Sequence, residues 1–210
     1  MVDETRSGYD AVARAYADRF AAELDGKPFD REVLDDFAQR VEGRGVVVDL
    51  GCGPGQVAAY LAARGVPVVG VDLSPGMVDT AQQDHPDLEF QVGDMRNLAF
   101  DNQTVAGTAA FYSIVHIPPD EIPAVLVEQR RLLRPGGLLL LAFHVGDRVE
   151  HVGEFLGEAV CLDFHFFTRA AMEDLLDAAG FELVWSRRRR PYPDVEAQTE
   201  RAYVLSRRPV

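Results

Sequence analysis

Cysteine is scarce: Cys52 and Cys161 are the only two in 210 residues, too few for a disulfide framework. Long apolar runs are missing. The leucine-rich run Leu138 to Phe143 is far below the roughly 20 residues that cross a bilayer. The opening stretch, MVDETRSGYD, has neither the basic start nor the apolar segment of a secretory leader. These absences lead to the expectation of a cytoplasmic protein with no membrane partner. Positive charge is also in deficit, with 21 Lys and Arg against 34 Asp and Glu and a net charge of −13. Such a chain repels polyphosphates and anionic lipid, so the expected partner is a small molecule or another protein, and no nucleic acid. Metal-ligand spacing is missing among His85, His116, His144, His151 and His165, and neither cysteine has a Cys or His pattern nearby, so no metal is expected. Cys161, with no basic neighbour, reads as buried filler. The run Arg187 to Arg190 reads as a solvated strand end before Pro191.

The length suits one large domain, residues 1–210. Residues 1–41 read as a helical cap, because Val12, Tyr16 and Phe20, then Val33, Phe37 and Val41, recur at helical spacing. Gly26 and Pro28 separate the two stretches. Strands and helices alternate after that. Val46–Val48 is a β-branched run, Gln56 to Ala63 a helix closed by Gly65, and Val68 to Asp72 a second strand. Ser74 and Pro75 start the next helix as N-cap and first helical residue. Leu88–Val92 and Val105–Tyr112 read as further strands. Pro119 reads as the start of a helix with Asp120 and Glu121 in its first turn and Arg130, Arg131 and Arg134 near its end. Leu138–Phe143, a helix from Thr168 to Ala179, and a closing pair of strands at 181–186 and 201–206 complete the pattern. Residues 145–167 fit no simple period. Apolar strands alternating with helices predict a buried, mostly parallel sheet with helices on both faces. Ligands of such sheets bind beyond the carboxyl ends of the strands, at the switch point.

At that place lies Val48-Asp49-Leu50-Gly51-Cys52-Gly53-Pro54-Gly55. Glycines let the backbone turn sharply and approach a ligand. Asp72 ends the next strand, where a carboxylate can accept both hydroxyls of a ribose. Asp94, after the third strand, could accept from an exocyclic amine. A dinucleotide site would want a third glycine or alanine where Gln56 stands, and a pyrophosphate at the helix N-terminus. Asp49 would repel that pyrophosphate. It would welcome an ammonium or a sulfonium.

The segments VVVDLGCGPGQVAAYLAARG, VVGVDLSPGMV, FQVGDMRNLAF and LLRPGGLLLLAFH resemble, in order, the motifs of the class I adenosylmethionine-dependent methyltransferases that act on small molecules. The likeness covers roughly residues 45 to 185. It implies an α/β, Rossmann-like, doubly wound, seven-stranded sheet with the last strand antiparallel, and S-adenosylmethionine as cofactor. It implies that Gly51, Cys52 and Gly53 hold the amino-acid end and Asp72 the ribose. Leu73 and Met77 would pack on the adenine, Asp94 and Met95 would address its edge, and Tyr112 and Ser113 would border the methionine part. Tyr9 and Tyr16 match aromatic residues that the family often places over the cofactor. The expected activity is methyl transfer to a small-molecule acceptor. A binder without catalysis and a nicotinamide oxidoreductase are the alternatives.

Two further expectations follow from position. Residues 145–167 emerge on the ligand side with Phe155, Leu156, Phe164, Phe166 and Phe167, so they read as a lid over the acceptor, or else as an Ω-loop packed on itself. His116 and His144 follow the fourth and fifth strands. A neutral imidazole suits removal of the acceptor's proton, and His116 is the candidate base. His165, in an aromatic cluster, reads as a packed or hydrogen-bonded core residue.

Overall fold

Seven strands share one sheet in the computed structural model, which describes residues 2–210. They are Val47–Leu50 (β1), Val68–Asp72 (β2), Glu89–Val92 (β3), Val105–Phe111 (β4), Leu133–His144 (β5), Glu182–Arg189 (β8) and Arg201–Arg207 (β9), in the order β3-β2-β1-β4-β5-β9-β8. Pairing is parallel from β3 through β5, and β9 runs antiparallel to both β5 and β8. The expected doubly wound sheet with an antiparallel last strand is therefore present. That last strand lies inside the sheet, with β8 at the edge.

Alternating side chains divide the core between the two faces, as the two-residue period of a strand requires. Val48, Leu50, Val71, Leu139, Leu141 and Val204 face one way, towards Ile122–Leu132 (α5) and Arg169–Ala178 (α6). Val47, Val68, Leu138, Leu140, Tyr203 and Leu205 face the other, towards Pro28–Val41 (α2) and Gln56–Ala62 (α3). Ser74 caps Pro75–Asp84 (α4) by accepting from Met77 N–H. The N-terminal helix Val2–Phe20 (α1) leans on α4, where Asp10 accepts from Ser74 Oγ at 2.6 Å and from Gly76 N–H at 2.8 Å.

Four readings need correction. Residues 145–167 are not patternless. They hold a hairpin of Arg148–Phe155 (β6) and Glu158–Phe166 (β7), and β7 lies against α1. Its turn, Leu156-Gly157, has both φ angles positive, 52° and 87°, the backbone of a two-residue hairpin turn normally written with Asn or Asp before Gly. Helix α5 begins at Ile122, with Pro123 rather than Pro119 in its first turn, and Arg134 belongs to β5. Cys161 is exposed, on the outer side of β7. Arg189 is not solvated: its side chain is 8% exposed and bridges Asp30, fully buried, and Glu196.

Candidate functional site

The order reverses between β1 and β4, and the loops leaving these strands meet there. Gly51 has φ of +64°, and a Cβ on it would fall 2.3 Å from Ser113 Cβ. Only glycine fits that crossing. Ser113 donates to the Leu50 carbonyl at 2.5 Å and fastens the second loop to the first. Cys52 is buried beneath, and burial pushes its thiol well up.

Asp49 lines the cleft and is 1% exposed; its Oδ2 has no hydrogen-bond partner. Gln56 repeats the situation: Nε2 donates to Glu23 Oε1 at 3.1 Å, while the buried Oε1 has no partner. Two acceptors without donors in one wall are what a cationic group would satisfy. Burial, with Asp72 adding to it, pushes the Asp49 carboxyl up to about 7. Unfolded aspartate titrates near 3.9. The fold therefore loses stability as pH rises from that value through about 7. Asp49→Asn stays neutral, so its melting temperature without ligand, measured against wild type, is expected to gain between pH 4 and 7 and to level off above. Scanning fluorimetry from pH 4 to 8.5 checks this. A wild-type-to-variant difference independent of pH would contradict it.

Asp72 ends β2 with Oδ2 accepting from Gly53 N–H at 2.8 Å and Oδ1 from Ser74 N–H at 2.9 Å. Burial pushes its carboxyl up, against these backbone bonds. It thus braces the glycine loop and also fronts the cleft. Leu73 and Met77 line the same wall, and Met77 also packs on Val12 and Ala13 of α1. Asp94 and Met95 line the next stretch. Arg96, which sequence reasoning passed over, donates to both Asp94 oxygens and to Glu121 Oε2 at 2.5 Å. Burial raises the Asp94 carboxyl, but the Arg96 guanidinium and backbone N–H outweigh it and hold it low. An amine reaching Asp94 would share oxygens with Arg96.

Tyr112 has φ of +62°, a left-handed backbone rare for a bulky residue and concentrated at functional sites. Its ring faces the cleft, and its hydroxyl turns away to donate to Asp30 at 2.7 Å, with Tyr203 at 2.6 Å. Tyr16 lines the opposite side among Tyr9, Phe20 and Phe155. His116 is held at both nitrogens. The Asp163 carbonyl, 2.9 Å away, accepts from Nδ1, so Nε2 accepts from the Tyr9 hydroxyl at 2.6 Å. Burial pushes this imidazole down to about 4. His165 is buried, but neither ring nitrogen has a partner.

The cleft encloses about 410 Å³, within the range of small-molecule sites. Sequence reasoning missed Lys27, Glu196, Thr199 and Arg201, which form its far end. They come from the residue before α2, the loop before β9 and the first residue of β9, and no local motif marks them. Among the described residues, no group of three or more His, Cys, Asp or Glu is arranged to hold a metal, and no helix is long and apolar enough to cross a membrane.

Residues 47–137 match the family model described as a methyltransferase domain. The demethylmenaquinone methyltransferase of Beutenbergia cavernae is 35% identical over 137 residues, 64% of this chain and 55% of that protein. The malonyl-[acyl-carrier protein] O-methyltransferase of Serratia marcescens is 29% identical over 169 residues, 76% of this chain and 65% of that one. The chain thus spans less than two thirds of these relatives' length. Among solved structures, the Burkholderia thailandensis 1,6-didemethyltoxoflavin-N1-methyltransferase, with bound 1,6-didemethyltoxoflavin and S-adenosylhomocysteine, superposes with a TM-score of 0.74 at 24% identity, covering 99% of this chain and 88% of that one. The DhpI–SAH complex gives 0.75 at 20% identity, covering 99% and 97%.

Proposed function

We propose that this chain is a class I adenosylmethionine-dependent methyltransferase and transfers a methyl group from S-adenosylmethionine to a small-molecule acceptor in this cleft. The observation that carries the reading is the pair of unpartnered buried acceptors, Asp49 Oδ2 and Gln56 Oε1, beside the glycine loop. They fit an ammonium and would repel a pyrophosphate. Asp49 and Gln56 would hold the amino group, Gly51, Cys52 and Gly53 the backbone around it, and Asp72 the ribose hydroxyls. Leu73, Met77, Asp94 and Met95 would border the adenine, and Tyr16, Tyr112 and Ser113 the methionine part. When bound, this cofactor supplies an electrophilic methyl group on a good leaving group.

The protein's part is alignment and exclusion of water. Helix α1 and the β6–β7 hairpin bring Tyr9, Tyr16, Phe155 and Phe164 over the cleft, and we assign them the role of cover. His116 reaches the acceptor through Tyr9: the phenol oxygen takes the acceptor's proton and passes its own to Nε2. An imidazole pushed down to about 4 is a weak base at neutral pH, so His116→Ala is expected to lower kcat only about 100-fold, the low end for such groups.

The test begins with cofactor choice. S-adenosylmethionine and S-adenosylhomocysteine should raise the melting temperature, and NAD should not. Incubation with S-adenosylmethionine and a metabolite extract should release S-adenosylhomocysteine, with or without EDTA. Stabilisation by NAD alone would overturn the reading. So would tight binding of S-adenosylmethionine with no turnover against any fraction, which would leave a binder. Full kcat in His116→Ala would remove the Tyr9–His116 path.

A further inference from the structure

His144 closes β5 and differs from His116 in one respect: only one nitrogen is engaged. Its Nδ1 lies 2.7 Å from Thr199 Oγ1, its Nε2 has no hydrogen bond among the described residues, and the residue lines the cleft. Arg201 donates to Thr199 at both its hydroxyl oxygen and its carbonyl. A hydroxyl can give one proton and accept two. Arg201 fills one lone pair of Oγ1, and the hydroxyl proton is within reach of His144 Nδ1. In the tautomer with Oγ1–H donating to Nδ1, the ring proton sits on Nε2, on the cleft side; that tautomer is part of the inference below.

The surroundings of that N–H are specific. His144 stands between the rings of Tyr112, 5.7 Å away, and Phe166, 5.3 Å away. Lys27 Nζ and the Arg201 guanidinium lie 5.5 and 5.6 Å from the Tyr112 ring centre. The acids of this wall are already engaged. Glu23 accepts from Lys27 and Gln56, and Glu196 accepts from Arg189 and Tyr192 N–H and lies 3.3 Å from Arg201. Burial first, then Arg201 and Lys27, push the His144 imidazole down to about 3, with Glu196 opposing. The ring stays neutral at ordinary pH, and the cations near it are paired with Glu23 and Glu196. Phe164, against His116, and Phe166, against His144, are two residues apart on one strand face, about 7 Å.

We infer that the end of the cleft formed by Tyr112, His144, Phe166 and Arg201 is the acceptor's recognition subsite, and that it takes a flat, unsaturated molecule whose phenolate- or enolate-type oxygen accepts from His144 Nε2–H. The inference rests on the methyltransferase reading of the cleft. His144 is the contact, and Thr199 and Arg201 are positioning residues that set its tautomer.

The probe is 4-nitrophenol, whose phenol and phenolate absorb at different wavelengths, titrated into protein saturated with S-adenosylhomocysteine. Wild type should bind the phenolate and lower the apparent pKa of the probe by about one unit. It should bind 4-nitrotoluene, the same ring without the oxygen, at least about tenfold more weakly, the worth of one charge-assisted hydrogen bond. His144→Phe should lose the same factor for the phenolate. Thr199→Val should lose less and shift the nitrogen resonances of His144 towards the other tautomer. Neither change should alter S-adenosylhomocysteine affinity. Failure of S-adenosylhomocysteine to bind wild type would overturn the methyltransferase reading. With it bound, no phenolate binding, equal binding of 4-nitrotoluene, equal binding by His144→Phe, or an unchanged tautomer in Thr199→Val would each overturn the subsite.

Discussion

Asp72→Ala is expected to weaken S-adenosylhomocysteine binding by roughly 30- to 1,000-fold, or about 2–4 kcal/mol. One carboxylate serves the loop and, in the proposed site, the ligand. Its oxygens accept from Gly53 and Ser74 N–H, and the residue lines the cleft. Alanine would remove the two proposed charge-assisted bonds to the ribose, each about 1.5–3 kcal/mol, while water entering the gap offsets part of the loss. It would also release Gly53, so the glycine loop would no longer be held in the shape that binds. Asp72→Asn keeps one acceptor oxygen and should fall between the two. Calorimetric titration measures the effect, with melting curves to show that the variants are folded. A folded Asp72→Ala with unchanged affinity would disprove the placement of the ribose.

Arg189→Leu is expected to destabilise the protein by about 3–5 kcal/mol, the usual cost of removing one partner from a buried ion pair. For a chain of this size that corresponds to a melting temperature lower by roughly 6–20 °C. Arg189 donates to Asp30 Oδ2 at 2.6 Å, to both oxygens of Glu196 and to Tyr203 Oη at 2.8 Å. Without it, Asp30 keeps Tyr112, and Glu196 keeps Arg201 at 3.3 Å and Lys27 at 3.7 Å. Lysine cannot bridge two carboxylates with a planar fork, so Arg189→Lys should recover only part of the loss. Burial raises the Glu196 carboxyl, but Arg189 outweighs it and holds the group low. A lowered carboxyl contributes stability above its unfolded titration range and loses it as pH falls. The gap between wild type and Arg189→Leu should therefore narrow below pH 4.5. Urea unfolding at pH 7 and pH 4 tests both points. A loss under about 1 kcal/mol at pH 7 would show that the pair is not coupled to stability in this way.

The sheet was legible in the sequence because its strands are continuous apolar runs cut by glycine and proline. Val46–Val48, Val68–Asp72 and Leu138–Phe143 each lie within or beside an observed strand. The glycine loop was legible for the same reason that it works: positive φ at Gly51, Gly53 and Gly55 restricts the residue type. The hairpin was hidden by its turn. Val160, Leu162, Phe164 and Phe166 do alternate along β7, but Leu156 before Gly157 is not turn chemistry, and β6 is nearly all exposed. Arg189 looked like part of a solvated run because Asp30 and Glu196 are remote in one direction and anonymous in the other. The far end of the cleft draws on stretches around residues 27, 112, 144, 166 and 196–201, so no window of sequence contains it. His144 was weighed there and set below His116; the geometry gives His116 two hydrogen-bond partners and leaves His144 one nitrogen free.

The position of β9 bears on how this protein is made. Strands β5 and β8 are both earlier in the chain, yet each has β9 as its neighbour. During synthesis β5 therefore leaves the ribosome with one edge open, and β8 follows it with nothing to pair to. Both must wait until residues 201–207 emerge and slot between them. For that interval two rows of unpaired backbone groups are exposed, the template on which chains join edge to edge. Leu139, Leu141 and Phe143 flank one of those edges. Arg187, Arg188 and Arg189 lie along the other, and three neighbouring positive charges would keep waiting copies apart until the gap is filled.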